Sequence, residues 1–156
     1  MRIKWIVALG VVVMASSPAF AEGKKEIQKQ IEATSKVVSD GCGCKVQFSY
    51  SKKLDFTKEN GSSLGLNVRK TIEDVGPAAV KWCKQGDDFK EKFCGLVKAV
   101  EVDEDKTASS PYSTAAGSGV IRSYLSTKNP NVISYDGSWV EHFLQTGKMR
   151  DRKPAD

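Results

Sequence analysis

Residues 64–83 read LGLNVRKTIEDVGPAAVKWC, and Leu64, Val68, Ile72, Val75, Ala79 and Cys83 recur in it at spacings of four, four, three, four and four. Apolar residues at that period share one stripe of an α-helix, because side chains three and four apart stack on the same face. A stripe of about five turns needs a core to face. Pro77 follows Gly76 inside the pattern. A proline there removes a backbone donor and crowds the carbonyl four residues back, so the helix is expected to kink or restart near Gly76.

Upstream, Ile27, Ile31, Thr34 and Val38 lie on one helical stripe over 26–39, and Gly41 offers a stop. Cys44, Val46, Phe48 and Tyr50 then alternate with Lys45, Gln47 and Ser49, the pattern of a half-buried strand. Residues 58–65 are polar and Gly/Ser-rich and read as a loop. Downstream, Gln85-Gly86-Asp87 breaks the long helix, with Asp87 as N-cap of a short one carrying Phe89 and Phe93 and closed by Gly95.

Beyond Gly95 the composition turns to strand: 96–102, 120–125 and 132–135 are the expected segments, with 129–131 turning the last two into an antiparallel hairpin. Residues 103–118 are rich in Ser and Thr and are expected to stay a poorly ordered loop, too polar to bury much of themselves. Ser138 and Glu141 match a capping box for a final helix carrying Trp139, Val140, Phe143 and Leu144 and ending at Gly147. Helices and strands do not alternate regularly. The expected class is α+β, with a mainly antiparallel sheet of about four strands packed against a long kinked helix and shorter helices.

The chain has 156 residues and a formal net charge of +5. Its start holds Arg2 and Lys4, an apolar run over 5–15, and Ala19-Phe20-Ala21, the layout of a secretory signal peptide cleaved after residue 21. The apolar run is short for a bilayer span, and position 22 is Glu22 rather than a cysteine that could carry a lipid. Cleavage takes Arg2 and Lys4 and leaves 22 basic against 19 acidic side chains, a net charge of +3. The remaining length fits one domain, 22–147, followed by a mobile basic tail, 148–156. The expected address is exported, periplasmic or secreted. Neither a Gly-x-Gly-x-x-Gly turn nor a phosphate-binding Gly-x-x-x-x-Gly-Lys-Ser/Thr loop occurs, so dehydrogenase, kinase and ATPase readings drop out and no cofactor is expected.

Cys42, Cys44, Cys83 and Cys94 make an even set, which in an exported small domain reads as two disulfides. Residues two apart on a strand have α-carbons roughly 6.5 Å apart, at the far edge of what a disulfide spans. The favoured arrangement therefore sends Cys42 and Cys44 across to Cys83 and Cys94, stapling the strand to the helical hairpin. Two other readings are weaker: a reducible Cys42-Gly43-Cys44 bridge for thiol-disulfide exchange, and a zinc site, whose ligand spacing here is irregular.

His142 is the one histidine and falls toward the polar side of its helix, where solvation is the simpler reading. Glu73-Asp74 and 103–105 are acidic but lack the shape of a calcium loop, so no metal is expected. The basic clusters 24–25, 52–53 and 148–153 lack interleaved aromatics, so no nucleic-acid partner is expected. Tyr112, in the polar stretch, is the aromatic expected to be exposed; Trp82 and Trp139 are expected to pack on the core. The functional expectation is a non-enzymatic binding or inhibitor-type module for a protein or envelope ligand, using Ser110, Pro111 and Tyr112 as its contact loop. The alternative is a thiol-disulfide exchanger using the Cys42-Gly43-Cys44 dithiol.

Overall fold

A computed structural model describes residues 18–56, 61–115, 117–126, 128 and 138–149, the side chains of 18–22, 61, 62, 138 and 139 excepted. In chain order the elements are α1 Pro18–Cys42, β1 Gln47–Tyr50, α2 Gly61–Cys83, α3 Asp87–Leu96, β2 Ala99–Asp105, β3 Tyr112–Ala115, β4 Val120–Ser126 and α4 Ser138–Thr146. The expected leader 1–21 lies outside the described residues except for the backbone of 18–21, which belongs to α1. The expected strand 132–135, the turn 129–131 and the tail beyond Met149 also lie outside them.

The strands form one four-stranded sheet in the order β1-β2-β4-β3, and the class is α+β. The sheet is mixed rather than mainly antiparallel: β1 with β2 and β2 with β4 are parallel, and only β3 with β4 is antiparallel. The reason lies in the connections. The chain leaves β1 and returns through α2 and α3, a crossover long enough to bring β2 in parallel. β4 then inserts between β2 and β3, so the hairpin is β3–β4, one step earlier in the chain than the pair expected from composition.

The helical stripes behave as their spacing dictates. Ile27, Thr34 and Val38 of α1 and Val68, Ile72, Val75, Ala79 and Cys83 of α2 are all buried, and the apolar ones join Phe48, Val100, Val102, Ile121 and Leu125 from one sheet face in a single core. Trp82 is buried there too, its indole N–H donating to the Phe89 carbonyl (3.1 Å) and its ring set edge-on to Phe89 at 4.9 Å. Val140, Phe143 and Leu144 of α4 close the core, and Gly147 caps that helix as expected, with φ of 70° and its N–H donating to the Phe143 carbonyl (2.7 Å).

Several boundaries differ from expectation, each for a local reason. α1 does not stop at Gly41. It runs to Cys42, and Gly43 takes the left-handed conformation (φ 78°) and donates its N–H to the Ser39 carbonyl at 2.9 Å. Gly41 serves helix packing instead. A Cβ there would sit 2.6 Å from Val80 Cγ2, so its hydrogen lets α2 approach. α2 begins at Gly61, inside the expected loop, and continues unbroken through Gly76 and Pro77 instead of restarting. Pro77 is exposed, where the carbonyl it releases can turn to water. The N-cap of α3 is Gly86, with Asp87 the first helical residue, and the helix passes Gly95 to end at Leu96. Met149, placed in the tail by its sequence, packs against the core.

Candidate functional site

The alternation that buries Val100, Val102, Ile121 and Leu125 turns their neighbours to the opposite face of the sheet. On β2 these are Glu101, Asp103 and Asp105; on β4, Arg122 and Tyr124; on β3, Tyr112 and Thr114. The register sets Glu101 beside Arg122 beside Thr114, and Asp103 beside Tyr124 beside Tyr112. All seven are half-buried, in contrast to the buried residues behind them. The result is a polar and aromatic face on a sheet whose other side is the core.

Its contacts are ordered. The Tyr112 and Tyr124 rings stack at 4.8 Å with 18° between their planes. The Tyr112 hydroxyl donates to Asp105 Oδ2 at 2.7 Å, while Asp105 Oδ1 accepts from the Thr107 N–H (2.7 Å), the Thr107 hydroxyl (2.6 Å) and the Ala108 N–H (3.2 Å). Arg122 Nε donates to Glu101 Oε2 at 2.9 Å. Its hydrogen bond with Tyr124, and after it the one with Glu101, hold the guanidinium above its already high ordinary pKa, so Arg122 is a permanent cation.

Tyr112 therefore does not lie in a floppy loop. β2 extends through the acidic run to Asp105, a turn follows, and Tyr112 opens β3. The segment orders itself with hydrogen bonds rather than apolar area. Ser113 and Ser123 hydroxyls meet across the strands at 3.1 Å, and the Ser126 hydroxyl donates to the Ala108 carbonyl at 2.7 Å, with Ala108 fully buried. Pro111 is half-buried and Ser110 exposed, both in the turn that delivers Tyr112 to the face. The signal that would have found this face is the continuation of the period of two past Val102: Glu101, Asp103 and Asp105 share a parity just as Val100 and Val102 do.

The four cysteines lie away from this face, at the helical end. Cys42 bonds Cys83 and Cys44 bonds Cys94, with α-carbons 5.2 and 5.9 Å apart; this is the expected pairing across the fold, but Cys42 closes α1 and Cys44 precedes β1, so the two do not share the strand from which it was argued. Cys42 and Cys44 are not bridged to each other. His142 is half-buried on α4, remote in sequence from the sheet face. Among the described residues no three His, Cys, Asp or Glu side chains group so as to hold a metal ion, and no helix is long and apolar enough to cross a membrane. No protein-family model, no curated protein and no solved structure matches the chain.

Proposed function

We propose that this protein is an exported binding module, non-enzymatic, whose polar sheet face takes a protein or envelope ligand. The observation that carries the reading is the stacked Tyr112–Tyr124 pair beside Asp105 and the Glu101–Arg122 pair. Tyrosine and arginine are the residue types in which interfaces concentrate their energy, and here they are held in place before any ligand arrives. Ser110 and Pro111 flank this face as its rim. Export is supported by the basic-then-apolar start of the chain, ending in Ala19-Phe20-Ala21, and by the pairing of all four cysteines.

The test is a comparison of Tyr124→Ala and the wild type as immobilised bait against an envelope extract, with circular dichroism confirming that both are folded. Loss of a specific partner in the variant is the expected outcome. If the two baits retain the same partners with the same avidity, the sheet face is not the binding surface.

A further inference from the structure

We propose that Cys44–Cys94 is a thiol-exchange site, opened by a dithiol reductant while Cys42–Cys83 stays closed. The two bridges start one residue apart, on either side of Gly43, and tie the same corner of the fold. Their surroundings differ. Cys42 and Cys83 are 3% and 0% exposed, on the facing stripes of α1 and α2; each bridge has one sulfur 3.6 Å from a backbone carbonyl oxygen, Cys42 Sγ from that of Ala79 and Cys94 Sγ from that of Cys42, so it is burial that separates them. A thiolate must reach a sulfur along the line of the S–S bond, and at Cys42–Cys83 helix packing bars it.

Cys44 and Cys94 are half-exposed, and the chain beside each is open. Gly43 and Lys45 flank Cys44 and are exposed; Gly95, next to Cys94, is exposed as well. Apart from the chain neighbours and the backbone of the same helix turn, a Cβ added at Gly43 or at Gly95 would meet no atom within 4 Å. Charge favours the same pair. The Lys98 ammonium donates to the carbonyl of Cys94, and its stem runs over Gly119, where a Cβ would come 2.6 Å from Lys98 Cγ. A cation held at the Cys94 backbone attracts an anionic nucleophile to this end of the bridge.

The reductant's thiolate attacks Cys44 Sγ, the Cys44–Cys94 bond breaks, and Cys94 departs as a thiolate that takes up a proton. The reductant's second thiol loses its proton and attacks the mixed disulfide, releasing Cys44 as a thiolate and closing the reductant's own disulfide; Cys44 then takes up the second proton. Two electrons and two protons pass from the dithiol to the protein. This pair differs from the Cys42-Gly43-Cys44 dithiol suggested by sequence, because Cys42 remains bonded throughout.

Timed reduction of the intact protein with dithiothreitol in native buffer, quenched by alkylation and read by peptide mass spectrometry, tests the proposal. Cys44 and Cys94 are expected to be labelled together and about tenfold or more ahead of Cys42 and Cys83, and the difference to vanish in denaturant, where burial no longer discriminates. Equal rates for all four in native buffer, or labelling of Cys42 and Cys83 first, overturns it. Lys98→Gln is expected to slow labelling of Cys94 several-fold with no change in the circular dichroism spectrum; an unchanged rate shows that the cation does not assist the exchange.

Discussion

The helical end of this molecule and its sheet face are held by different physics. α1, α2, α3 and the entry to β1 carry both disulfides and most of the apolar stripes, whereas β2, β3 and β4 contain no cysteine and keep their outer face through tyrosine stacking, carboxylate contacts and the Glu101–Arg122 ion pair. The first kind of contact is strong and non-directional or covalent. The second is directional and individually worth about 1 kcal/mol. A surface built that way can change its side chains while the body behind it stays folded, which suits a face that recognises a partner.

Removing the core bridge attacks the comparison at its strong side. In the chain-entropy treatment both loops, with separations of 41 and 50 residues, are worth about 4 kcal/mol each. Only the Cys42–Cys83 pair is also wrapped in core. Urea unfolding of Cys42→Ser/Cys83→Ser is therefore expected to show a loss above the loop contribution, and Cys44→Ser/Cys94→Ser a loss near it. Equal losses would mean that burial of the first bridge adds nothing.

Next in size is the close approach of α1 and α2. Gly41→Ala places a methyl 2.6 and 2.9 Å from the two Val80 methyls, closer than carbon atoms tolerate, so one helix must shift. The expected destabilisation is about 1–3 kcal/mol, offset in part by the better helix propensity of alanine. Gly76→Ala makes its closest contact with Thr34 Cγ2, at 3.0 Å, and is expected to cost less. Thermal unfolding of the two variants, compared with wild type, ranks them; the reverse order would show that Thr34 yields less readily than Val80.

On the sheet face the effects shrink. Tyr112→Phe keeps the stack on Tyr124 and deletes the hydrogen bond to Asp105, whose carboxylate retains its contacts from Thr107 and Ala108. A loss of about 1 kcal/mol is expected in denaturant unfolding. A loss of the size expected at Gly41 would place this face among the structural elements and weaken its assignment to binding.

This division also decides what could be read in the sequence. Apolar period makes Ile27, Val38, Val68, Ile72 and Ala79 legible, because burial by hydrophobicity depends on residue type and spacing alone. The cysteines do bridge across to the helices and not to each other, but the extended spacing from which that was argued is absent, because Cys42 ends α1 and Gly43 is left-handed. Strand direction did not follow, since it depends on how α2 and α3 carry the chain across the sheet. Nor did β3, because Ser113, Thr114 and Asp105 look like loop residues until they find partners: Ser113 meets Ser123, and Asp105 meets Tyr112 and Thr107. Polar residues that satisfy one another across strands carry the same composition as residues that satisfy themselves with water.

The smallest expected effect is at Asp87, in the first turn of α3. Its hydrogen bond to Lys90 (2.9 Å), and then the charge of that lysine, hold its carboxyl below the ordinary value of 3.8 in a fully exposed setting. A depressed carboxylate pKa means that the folded chain binds this proton less readily than the unfolded chain does. The contribution is therefore fully present above 3.8 and is lost as pH falls through the lower folded value. Asp87→Asn should lower the melting temperature slightly at neutral pH, with the gap to wild type closing as acid is added below 3.8 and narrowing with salt at neutral pH. The helix end leaves a second component in the gap, since a negative charge on the first turn also meets the orphan amide donors there. Lys90→Met separates the two: it removes the ion pair and leaves Asp87 facing the helix terminus alone, so any acid-sensitive difference that persists between Lys90→Met and Lys90→Met/Asp87→Asn belongs to the helix.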